Sequence, residues 1–389
     1  MKKKIIILGS TGSIGKTTFQ IIQKNSSEFN VVLLTTNKNI SEIINQARSL
    51  NVKNIIVTSR DHYLKLKKNN KNKKLKIYNN FDVINKIFKK KEIDYCMSAI
   101  TGLNGLKPTL DTIKLSKTIA IANKESIICG WNLIEKKLKK YKTNFIPVDS
   151  EHFSIWSVIK NFKNDDIEEI ILTASGGPFL NKPLKFIKNA NPLRATKHPN
   201  WKMGKKISID SATLINKVFE IIEAQRIFKI NKSKFKILIH PKSYIHAIVK
   251  FKNGLIKIVA HETSMKIPIF NSIYYDANKH IETNKINLEV LNNLNLSNPD
   301  LKKFPSLKLL KKINNNVSLY ETVLISANDE LVDQYLKKKI KFFDIFNNLL
   351  QILNNKNFRV FKRKKPNNVD QIIKLNKQVR LKTLNLCIK

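Results

Sequence analysis

The chain has 389 residues, 42% of them hydrophobic, which is enough to bury more than one hydrophobic core. Its 72 Lys and Arg residues against 29 Asp and Glu residues give a formal net charge of +43. Two explanations fit this charge: a polyanionic partner such as nucleic acid or an anionic membrane, or a composition biased toward Lys, Asn and Ile. Arg is scarce and no nucleic-acid-binding motif accompanies the charge, so compositional bias is favoured and no nucleic-acid partner is expected.

The cysteines and the apolar runs bear on location. Cys96, Cys129 and Cys387 have neither disulfide nor metal-site spacing, which suits a reducing compartment. The apolar run near the amino terminus is too short for a signal peptide and is followed at once by Gly and Ser. No segment approaches the ~20 apolar residues of a membrane span. We therefore expect a soluble, cytoplasmic protein without a membrane partner.

A strand, a glycine-rich turn and a helix are predicted at the start of the chain. Residues 5–8 are an unbroken apolar run, as in a strand buried on both faces, and a helix is predicted over residues 16–23. Between them lies Gly9-Ser-Thr-Gly-Ser-Ile-Gly15, whose glycines let the backbone approach a pyrophosphate at the positive end of the helix. The spacing is GxxGxxG rather than the commoner GxGxxG, and tight turns also use glycine without a ligand. The turn indicates dinucleotide binding but does not establish it.

The second predicted strand, residues 31–34, ends in Thr35-Thr-Asn-Lys-Asn39. A fold that prefers NAD usually places Asp or Glu there to hold the ribose 2′-hydroxyl. This chain offers hydroxyls, amides and Lys38 instead, which suit a 2′-phosphate and favour NADPH. The alternative is an ordinary basic turn in a basic protein.

Strand-like runs then alternate with helical stretches, at residues 54–58, 95–100, 118–122 and 144–148. This alternation predicts an α/β fold with an N-terminal, Rossmann-like, doubly wound parallel sheet. Ligands of such sheets bind beyond the carboxyl ends of the strands, where residues 123 and 149 lie.

Asp149 and Glu151 follow the last of these strands. They are two residues apart, so in an extended chain both side chains project to one side. Two neighbouring carboxylates repel each other, and a divalent cation commonly relieves the repulsion. The pair therefore predicts a metal site, and the alternative is two exposed acids at the end of a strand.

The middle of the chain carries further polar candidates. A predicted strand over residues 170–174 leads into a small-residue turn that can present Ser175 and backbone N–H groups to an anion, although an ordinary turn has the same composition. A loop with His198, Trp201 and Met203 follows. These residues are candidates for contacting a ligand from a loop.

A long helix is predicted to run to about residue 228, with Asp210, Ser211 and Thr213 as helix-start residues. Apolar residues cover most of its circumference, so the helix is predicted to be buried. One polar stripe remains, at Asn216, Lys217, Glu220 and Glu223. Either something polar meets this stripe inside the protein, or it faces solvent with Lys217 paired to Glu220.

The last third of the sequence predicts a hairpin and then helices. Residues 236–251 and 255–260 read as antiparallel strands joined at Asn253-Gly254, with His240 and His246 as packing or hydrogen-bonding residues. The pattern weakens from residue 276 to 306, and a helical period follows from residue 307, with Asn328-Asp-Glu330 inside one helix. The predicted domains are an NADPH-binding domain, a central α/β catalytic domain, a connector and a small helical domain, at residues 1–149, 150–275, 276–306 and 307–389.

Seven motifs occur in one order along the chain: Gly9-Ser-Thr-Gly-Ser-Ile-Gly15, Ala122-Asn-Lys-Glu-Ser126, Val148-Asp-Ser-Glu-His152, Thr173-Ala-Ser-Gly-Gly-Pro-Phe179, His198-Pro-Asn-Trp-Lys-Met-Gly204, Ile209-Asp-Ser-Ala-Thr213 and Ile239-His-Pro-Lys-Ser243. Together they closely resemble the 1-deoxy-D-xylulose 5-phosphate reductoisomerase family. Its members are NADPH- and divalent-metal-dependent enzymes of the non-mevalonate isoprenoid pathway. The resemblance extends over nearly the whole chain.

The resemblance implies a role for each matching residue. The expected NADPH contacts are Thr11, Gly12, Ser13, Ile14, Asn37, Lys38, Asn39, Asn123, Glu125 and Gly204. The expected ligands of Mg²⁺ or Mn²⁺, with Co²⁺ as an alternative, are Asp149, Glu151 and Glu220. The expected substrate contacts are Lys124, Ser150, Glu151, Ser175, His198, Ser211, Asn216, Lys217 and Glu220, with Trp201 and Met203 on a lid at residues 193–203. The expected catalytic residues are Lys124, Glu151 and His198.

The resemblance also implies the reaction. The carbon skeleton of 1-deoxy-D-xylulose 5-phosphate is rearranged by fragmentation and recombination, and NADPH reduces the product to 2-C-methyl-D-erythritol 4-phosphate. A homodimer is implied as well. Departures from the family pattern, at Asn37, Val218, Phe219 and the Ser264-Met-Lys266 segment, remove no expected ligand. The alternatives are a basic nucleic-acid-binding protein on a Rossmann scaffold, or another NADPH-dependent dehydrogenase without the carboxylate triad.

Overall fold

The computed structural model describes residues 1–285 and 287–387, and the chain divides into two compact units. The first unit comprises residues 1–126, 133–153 and 265–281. The second comprises residues 127–132, residues 154–264 and the described residues from Glu282 onward. The finer division into four segments stays a prediction.

The first unit contains a seven-stranded sheet in which every neighbouring pair of strands is parallel. Its order is β4-β3-β2-β1-β5-β6-β7, so the chain winds in both directions from β1, as in the predicted doubly wound sheet. The strands are β1 (Lys3–Leu8), β2 (Phe29–Thr36), β3 (Asn54–Val57), β4 (Lys76–Tyr78), β5 (Ile93–Ser98), β6 (Ser116–Ile121) and β7 (Asn144–Pro147).

Helices connect these strands because apolar residues recur at helical spacing between the strand runs. They are α1 (Ser13–Lys24), α2 (Ile40–Ser49), α3 (Arg60–Asn69), α4 (Ile84–Ile87), α5 (Leu106–Ile113) and α6 (Lys124–Tyr141), and α7 (Ser150–Ile159) follows the last strand of the sheet. Each of the six strands predicted in this region is present. The short strand β4 was not predicted, since it follows a Lys- and Asn-rich run and none of its residues is buried.

The second unit contains a four-stranded sheet with the order β11-β10-β8-β9. The strands are β8 (Ile167–Ala174), β9 (Phe235–Ile239), β10 (Ile245–Phe251) and β11 (Ile256–Ala260). The predicted hairpin is confirmed: β10 and β11 are antiparallel, and Gly254 in their turn has a φ of +87°. The prediction that residues 236–251 are antiparallel throughout is wrong, because the stretch contains two strands and β9 pairs in parallel with β8.

One face of this sheet packs against two helices. The buried cluster includes Ile170 and Val249 from the strands, Ile155 from α7 and Ile221 from the following long helix. Alternate residues of β8 and β10 contribute to it, as the two-residue period of a strand requires. The sheet thereby fixes the position of the helix that carries the polar stripe.

Two helices occupy residues 205–228: one that was not predicted and, after it, the one predicted to run to about residue 228. They are α10 (Lys205–Ala212) and α11 (Ile215–Phe228), separated by Leu214 in a left-handed conformation with a φ of +55°. Asp210 and Ser211 therefore lie in the last turn of α10, and their predicted role as helix-start residues is wrong. The second helix is buried almost throughout, as predicted.

The remaining helices are α8 (Leu184–Lys188), α9 (Pro192–Ala195), α12 (Lys266–Ile273), α13 (Leu288–Asn292), α14 (Tyr320–Leu336), α15 (Phe342–Asn354), α16 (Lys356–Arg359) and α17 (Val369–Cys387). The helical C-terminal region is thus confirmed, and Asn328 lies inside α14. None of the helices in the described part of the chain combines the length and the apolar character that crossing a membrane requires.

Candidate active site

The turn between β1 and α1 has no room for a side chain at Gly9 or at Gly15. Gly9 has a φ of +77°, and a Cβ added to Gly15 would lie 2.2 Å from the Gly9 carbonyl oxygen. Thr35 of β2 fixes the turn, since its Oγ1 accepts from the Gly9 N–H at 2.7 Å and its carbonyl accepts from the Ser10 N–H at 2.9 Å. Residues 11–14 are partly or fully exposed at the amino end of α1. Backbone N–H groups in that position favour an anion.

The side-chain amides of Asn37 and Asn39 stabilise the turn after β2. Asn37 Nδ2 donates to Thr58 Oγ1 at 2.8 Å, and Asn39 Oδ1 accepts from the Glu42 N–H at 3.2 Å, which caps α2. Lys38 lies between them and is exposed. The three predicted cofactor residues of this turn therefore lie on the surface of the first unit.

Asn123 closes the carboxyl end of β6. Its side chain is 3% exposed, accepts from the Ser126 N–H at 2.5 Å and donates to the Gly102 carbonyl at 2.8 Å. The amide thus caps α6 and holds a neighbouring loop at the sheet edge. Lys124 and Glu125 follow in the first turn of α6.

Asp149 and Glu151 lie at the amino end of α7 rather than on extended chain, so the predicted extended geometry is wrong. The Asp149 carbonyl accepts from the Phe153 N–H at 2.8 Å, which begins the helix. Its Oδ2 lies 3.0 Å from Lys124 Nζ, and its buried Oδ1 accepts no hydrogen bond from the described residues. Ser150 Oγ donates to Glu151 Oε2 at 2.5 Å. The first unit thus holds the Asp149 carboxylate beside the Lys124 ammonium group, and a second carboxylate two residues along the chain.

In the second unit, Ser175 after β8 contacts His198. The Ser175 hydroxyl lies 2.9 Å from His198 Nε2, while Nδ1 of the same ring accepts from the N–H groups of Asn200 at 3.1 Å and Trp201 at 2.9 Å. A ring nitrogen that accepts carries no proton, so we assign the proton to Nε2, which donates to Ser175. Burial lowers the pKa of His198 to about 4, so the ring is neutral near pH 7.

Ser175 has a further contact, with the backbone of its own turn. Its Oγ also accepts from the Gly177 N–H at 3.0 Å, so its own proton can be donated elsewhere. Gly177, with a φ of +65°, packs against the end of α10: an added Cβ would lie 3.1 Å from Ala212 Cα and 3.2 Å from the Ser211 carbonyl oxygen. The close approach brings the Ser175 turn beside Ser211, two predicted substrate contacts that are distant in sequence.

The polar stripe of α11 is buried, with Lys217 5%, Glu220 1% and Glu223 1% exposed. The solvent-facing alternative is therefore wrong, although the ion pair it assumed between Lys217 and Glu220 does form. Asn216 Nδ2 donates to the other carboxylate oxygen of Glu220. Glu220 is thus held within the protein by the Lys217 ammonium group and the Asn216 amide, as a buried carboxylate requires.

The predicted lid residues lie between α9 and α10. Trp201 and Met203 are partly exposed, and Gly204 directly precedes α10. The Trp201 ring meets the edge of His246 at a centroid distance of 6.0 Å, and His246 stacks on His261 at 3.7 Å. His261, directly after β11, was not among the predicted site residues.

Three family models match the chain. They describe 1-deoxy-D-xylulose 5-phosphate reductoisomerase, over residues 5–130, and two C-terminal domains of this enzyme, over residues 145–228 and 261–382. A reductoisomerase from Pelagibacter ubique (strain HTCC1062) is 56% identical over 387 residues, covering 99% of this chain and 100% of the relative. The chain belongs to the 1-deoxy-D-xylulose 5-phosphate reductoisomerase family.

Other reductoisomerases agree with this assignment. The enzyme from Wolbachia pipientis (strain wPip) is 39% identical over 88% of each chain. The solved structure of the Zymomonas mobilis reductoisomerase in complex with NADPH matches with a TM-score of 0.88 and 30% identity, covering 100% of this chain and 99% of that one. A reductoisomerase in complex with NADPH, fosmidomycin and magnesium matches with a TM-score of 0.91 and 30% identity, over 99% and 98%. The reductoisomerase fold therefore spans the chain.

Every site residue expected from the sequence lies within the first two matched ranges of the reductoisomerase family. Val218 and Phe219, which depart from the family pattern beside Glu220, are 0% and 1% exposed. They pack in the interior and do not replace a polar residue of the stripe.

Proposed function

We infer that this chain converts 1-deoxy-D-xylulose 5-phosphate to 2-C-methyl-D-erythritol 4-phosphate, with NADPH as reductant and a divalent cation as cofactor. The observation that carries this inference is full-length membership of the family, with 56% identity to a reductoisomerase. The buried polar groups and the glycine turn supply independent physical support. The alternative of a nucleic-acid-binding protein has no comparable support.

NADPH fits the first unit. Gly9 and Gly15 let the turn pack closely, since a side chain there would meet neighbouring backbone, and residues 11–14 offer N–H groups to a pyrophosphate. We propose that Lys38 with Asn37 and Asn39 receives the 2′-phosphate, since an ammonium group binds phosphate by charge-assisted hydrogen bonds. Asn123, Glu125 and Gly204 complete the proposed set of cofactor contacts.

A divalent cation fits the available carboxylates. We propose Asp149, Glu151 and Glu220 as its ligands, because Mg²⁺, Mn²⁺ and Co²⁺ all accept carboxylate oxygens. The buried Oδ1 of Asp149, which accepts no hydrogen bond from the described residues, is an oxygen that such a cation would satisfy. A bound cation supplies positive charge where a substrate oxygen becomes negative.

The remaining residues would bind and orient the substrate. Its phosphate would be held by donors of the second unit, namely Ser175, His198, Ser211, Asn216 and Lys217. Its hydroxyl groups would meet Ser150, Glu151 and Lys124, whose ammonium group stabilises developing negative charge on oxygen. Trp201 and Met203 would exclude water when the lid covers the substrate. Lys124, Glu151 and His198 are the proposed catalytic residues.

The test is NADPH oxidation by the purified chain, followed by absorbance with substrate and Mg²⁺ present or omitted in turn. We expect oxidation only when both are present. Glu220→Gln should lower turnover by about 100-fold or more, while NADPH binding measured by fluorescence is retained. Glu330→Gln, a buried carboxylate of α14 outside the proposed set, is the matched control. Near-normal turnover in Glu220→Gln would overturn the metal assignment, and no oxidation by folded wild type would overturn the function.

We further propose a homodimer and a cytoplasmic location. The edge strand β11 supports the dimer, because Leu255, Ile256 and Ile258 are 55%, 58% and 50% exposed next to an unpaired strand edge. A second copy of this chain would cover these side chains.

A further inference from the structure

The Ala327-Asn-Asp-Glu330 segment of α14 has no part in the function proposed so far. It lies in the interior: Asn328 is 0% exposed and Glu330 is 7% exposed. A buried amide is costly unless it makes hydrogen bonds, so the contacts of Asn328 show what it does.

Asn328 contacts the last turn of α10. Its Nδ2 donates to Asp210 Oδ1 at 2.8 Å, and Asp210 is itself 2% exposed. Asn328 Oδ1 has no hydrogen-bond partner among the described residues, so the bond to Asp210 is the contact that orients the amide. A hydrogen bond to a buried carboxylate is among the stronger ones in proteins.

A second contact joins the same two helices. Lys206 Nζ lies 3.4 Å from Asp210 Oδ2 and 2.8 Å from Asp329 Oδ1. Both carboxylate oxygens of Asp210 are thus used, one by α14 and one by α10 itself. Rotation of α10 about its axis would break the bond to Asn328, so the bond fixes the rotational setting of the helix end.

That helix end carries Ser211, the residue after Asp210. The space around it is tight, since the Gly177 position lies against Ser211 and Ala212. A shift of about 1 Å in a substrate-binding group can cost about 100-fold in rate. The position of the Ser211 hydroxyl therefore depends on Asp210, and through it on Asn328.

We propose that Asn328 is a positioning residue, which acts through Asp210 to hold Ser211 in place for the phosphate of the substrate. This inference rests on the proposed function. It assigns to the C-terminal helical region a part in substrate binding that does not require contact with the substrate.

The first test exchanges donor and acceptor. Asn328→Ala should raise the KM for the substrate about 10- to 100-fold and leave the KM for NADPH unchanged. Asn328→Asp should do the same, since it places two carboxylates face to face. Combining Asn328→Asp with Asp210→Asn restores one donor and one acceptor, and the KM should return to within about threefold of wild type. A folded double variant that stays as impaired as Asn328→Asp would overturn the proposal.

The second test asks whether Asn328 acts through Ser211. In a Ser211→Ala background, Asn328→Ala should change the substrate KM less than about twofold, because the group it positions is already absent. The same large factor in both backgrounds would show a general structural effect and overturn the proposal. Glu330→Gln is the control for substitution in α14, and melting temperatures report folding. If wild type does not turn over the substrate, the proposed function fails; if it does and the two residues are uncoupled, only this inference fails.

Discussion

His198 is held in one tautomer by three neighbours. Two backbone N–H groups donate hydrogen bonds to Nδ1, and Ser175 accepts one from Nε2. Because the ring is also partly buried, its pKa falls to about 4. His198 can therefore orient the Ser175 hydroxyl near pH 7 as a neutral hydrogen-bond donor.

The lowered pKa predicts how stability depends on pH. The folded chain binds a proton at His198 only near pH 4, whereas a histidine in the unfolded chain binds one near pH 6.5. This contribution to stability is therefore complete above pH 6.5 and is lost as the pH falls toward 4. We expect the free energy of unfolding, measured with urea at a series of pH values, to fall less steeply over this window in His198→Gln than in wild type.

The control for this prediction is His280→Gln, which removes an exposed imidazole and should keep the wild-type slope. Equal slopes for wild type and His198→Gln would contradict the lowered pKa of the buried ring.

The sequence could nominate the site residues, which stay predictions, but it could not predict their contacts. The resemblance supplied Asp149, Glu151 and His198, because family motifs preserve residue types at fixed spacing. The conformation at Asp149 was predicted wrongly, since a two-residue spacing places side chains together only when the chain is extended. The tautomer of His198 depends on backbone groups whose direction no sequence pattern specifies.

At the scale of elements, the residues between α10 and α11 explain why the break at Leu214 was not predicted. No Gly or Pro interrupts residues 205–228, so no helix breaker marks Leu214. A left-handed leucine costs about 1–2 kcal/mol and persists only where the surroundings determine it. Leu214 is 2% exposed, so its side chain is packed in the interior. Tertiary contacts of this kind cannot be read from local propensity.

The carboxyl end of α11 is anchored by a buried ion pair, which leads to a prediction about stability. Arg226 lies 2.6 Å from Glu321 of α14, with side chains 3% and 0% exposed, and donates to the Asn316 carbonyl at 2.9 Å. Removing one partner leaves a buried charge uncompensated, so Glu321→Ala should lower the free energy of unfolding by about 3–5 kcal/mol. Urea unfolding of the variant measures this loss.

An exposed ion pair provides the comparison. Asp82 lies 3.0 Å from Lys107, with side chains 74% and 56% exposed, and water screens this pair. Asp82→Ala should leave the unfolding midpoint essentially unchanged. A similarly small effect for Glu321→Ala would mean that the buried pair does not anchor α11.

For the whole molecule, the exposed edge of the second sheet predicts the oligomeric state. Ile256 and Ile258 are two residues apart on β11, so they share one face. Replacing both with Glu would place four charges in a symmetric interface, and we expect sedimentation to show a monomer where wild type shows a dimer. Leu64→Glu, at a 52% exposed residue of α3, should remain dimeric. A dimer in the Ile256 and Ile258 variant would exclude β11 from the interface.

The net charge of +43 makes a separate prediction. Charges spread over a surface bind DNA through phosphates alone, so any affinity should fall steeply with salt and show no sequence preference. Fluorescence anisotropy with two unrelated duplexes at low and physiological salt measures this. Turnover should be unaffected by DNA at physiological salt. Sequence-selective binding at that salt concentration would support the nucleic-acid-binding alternative.

Six of the seven strands of the parallel sheet could be predicted because strand and helix periods alternate regularly over the first 150 residues, and only the short, unburied β4 was missed. The partner of β9 could not be predicted. Only five residues separate β9 from β10, yet β9 pairs with β8, on the side away from β10. Short connections favour antiparallel neighbours, and the sheet departs from that tendency here. Pairing at this point depends on the packing of the entire layer.

The left-handed conformation of Leu214 also affects the relative directions of the Ser211 hydroxyl, the Asn216 amide and the Lys217 ammonium group. In one uninterrupted helix, Ser211 and Asn216 would point about 140° apart around a common cylinder, since each residue advances about 100°. The break at Leu214 removes that constraint and begins a new helix, whose first N–H groups carry a partial positive charge. In a single straight helix of the same sequence, Ser211 and Asn216 would lie on different sides. They could not then bind one phosphate together, as proposed above.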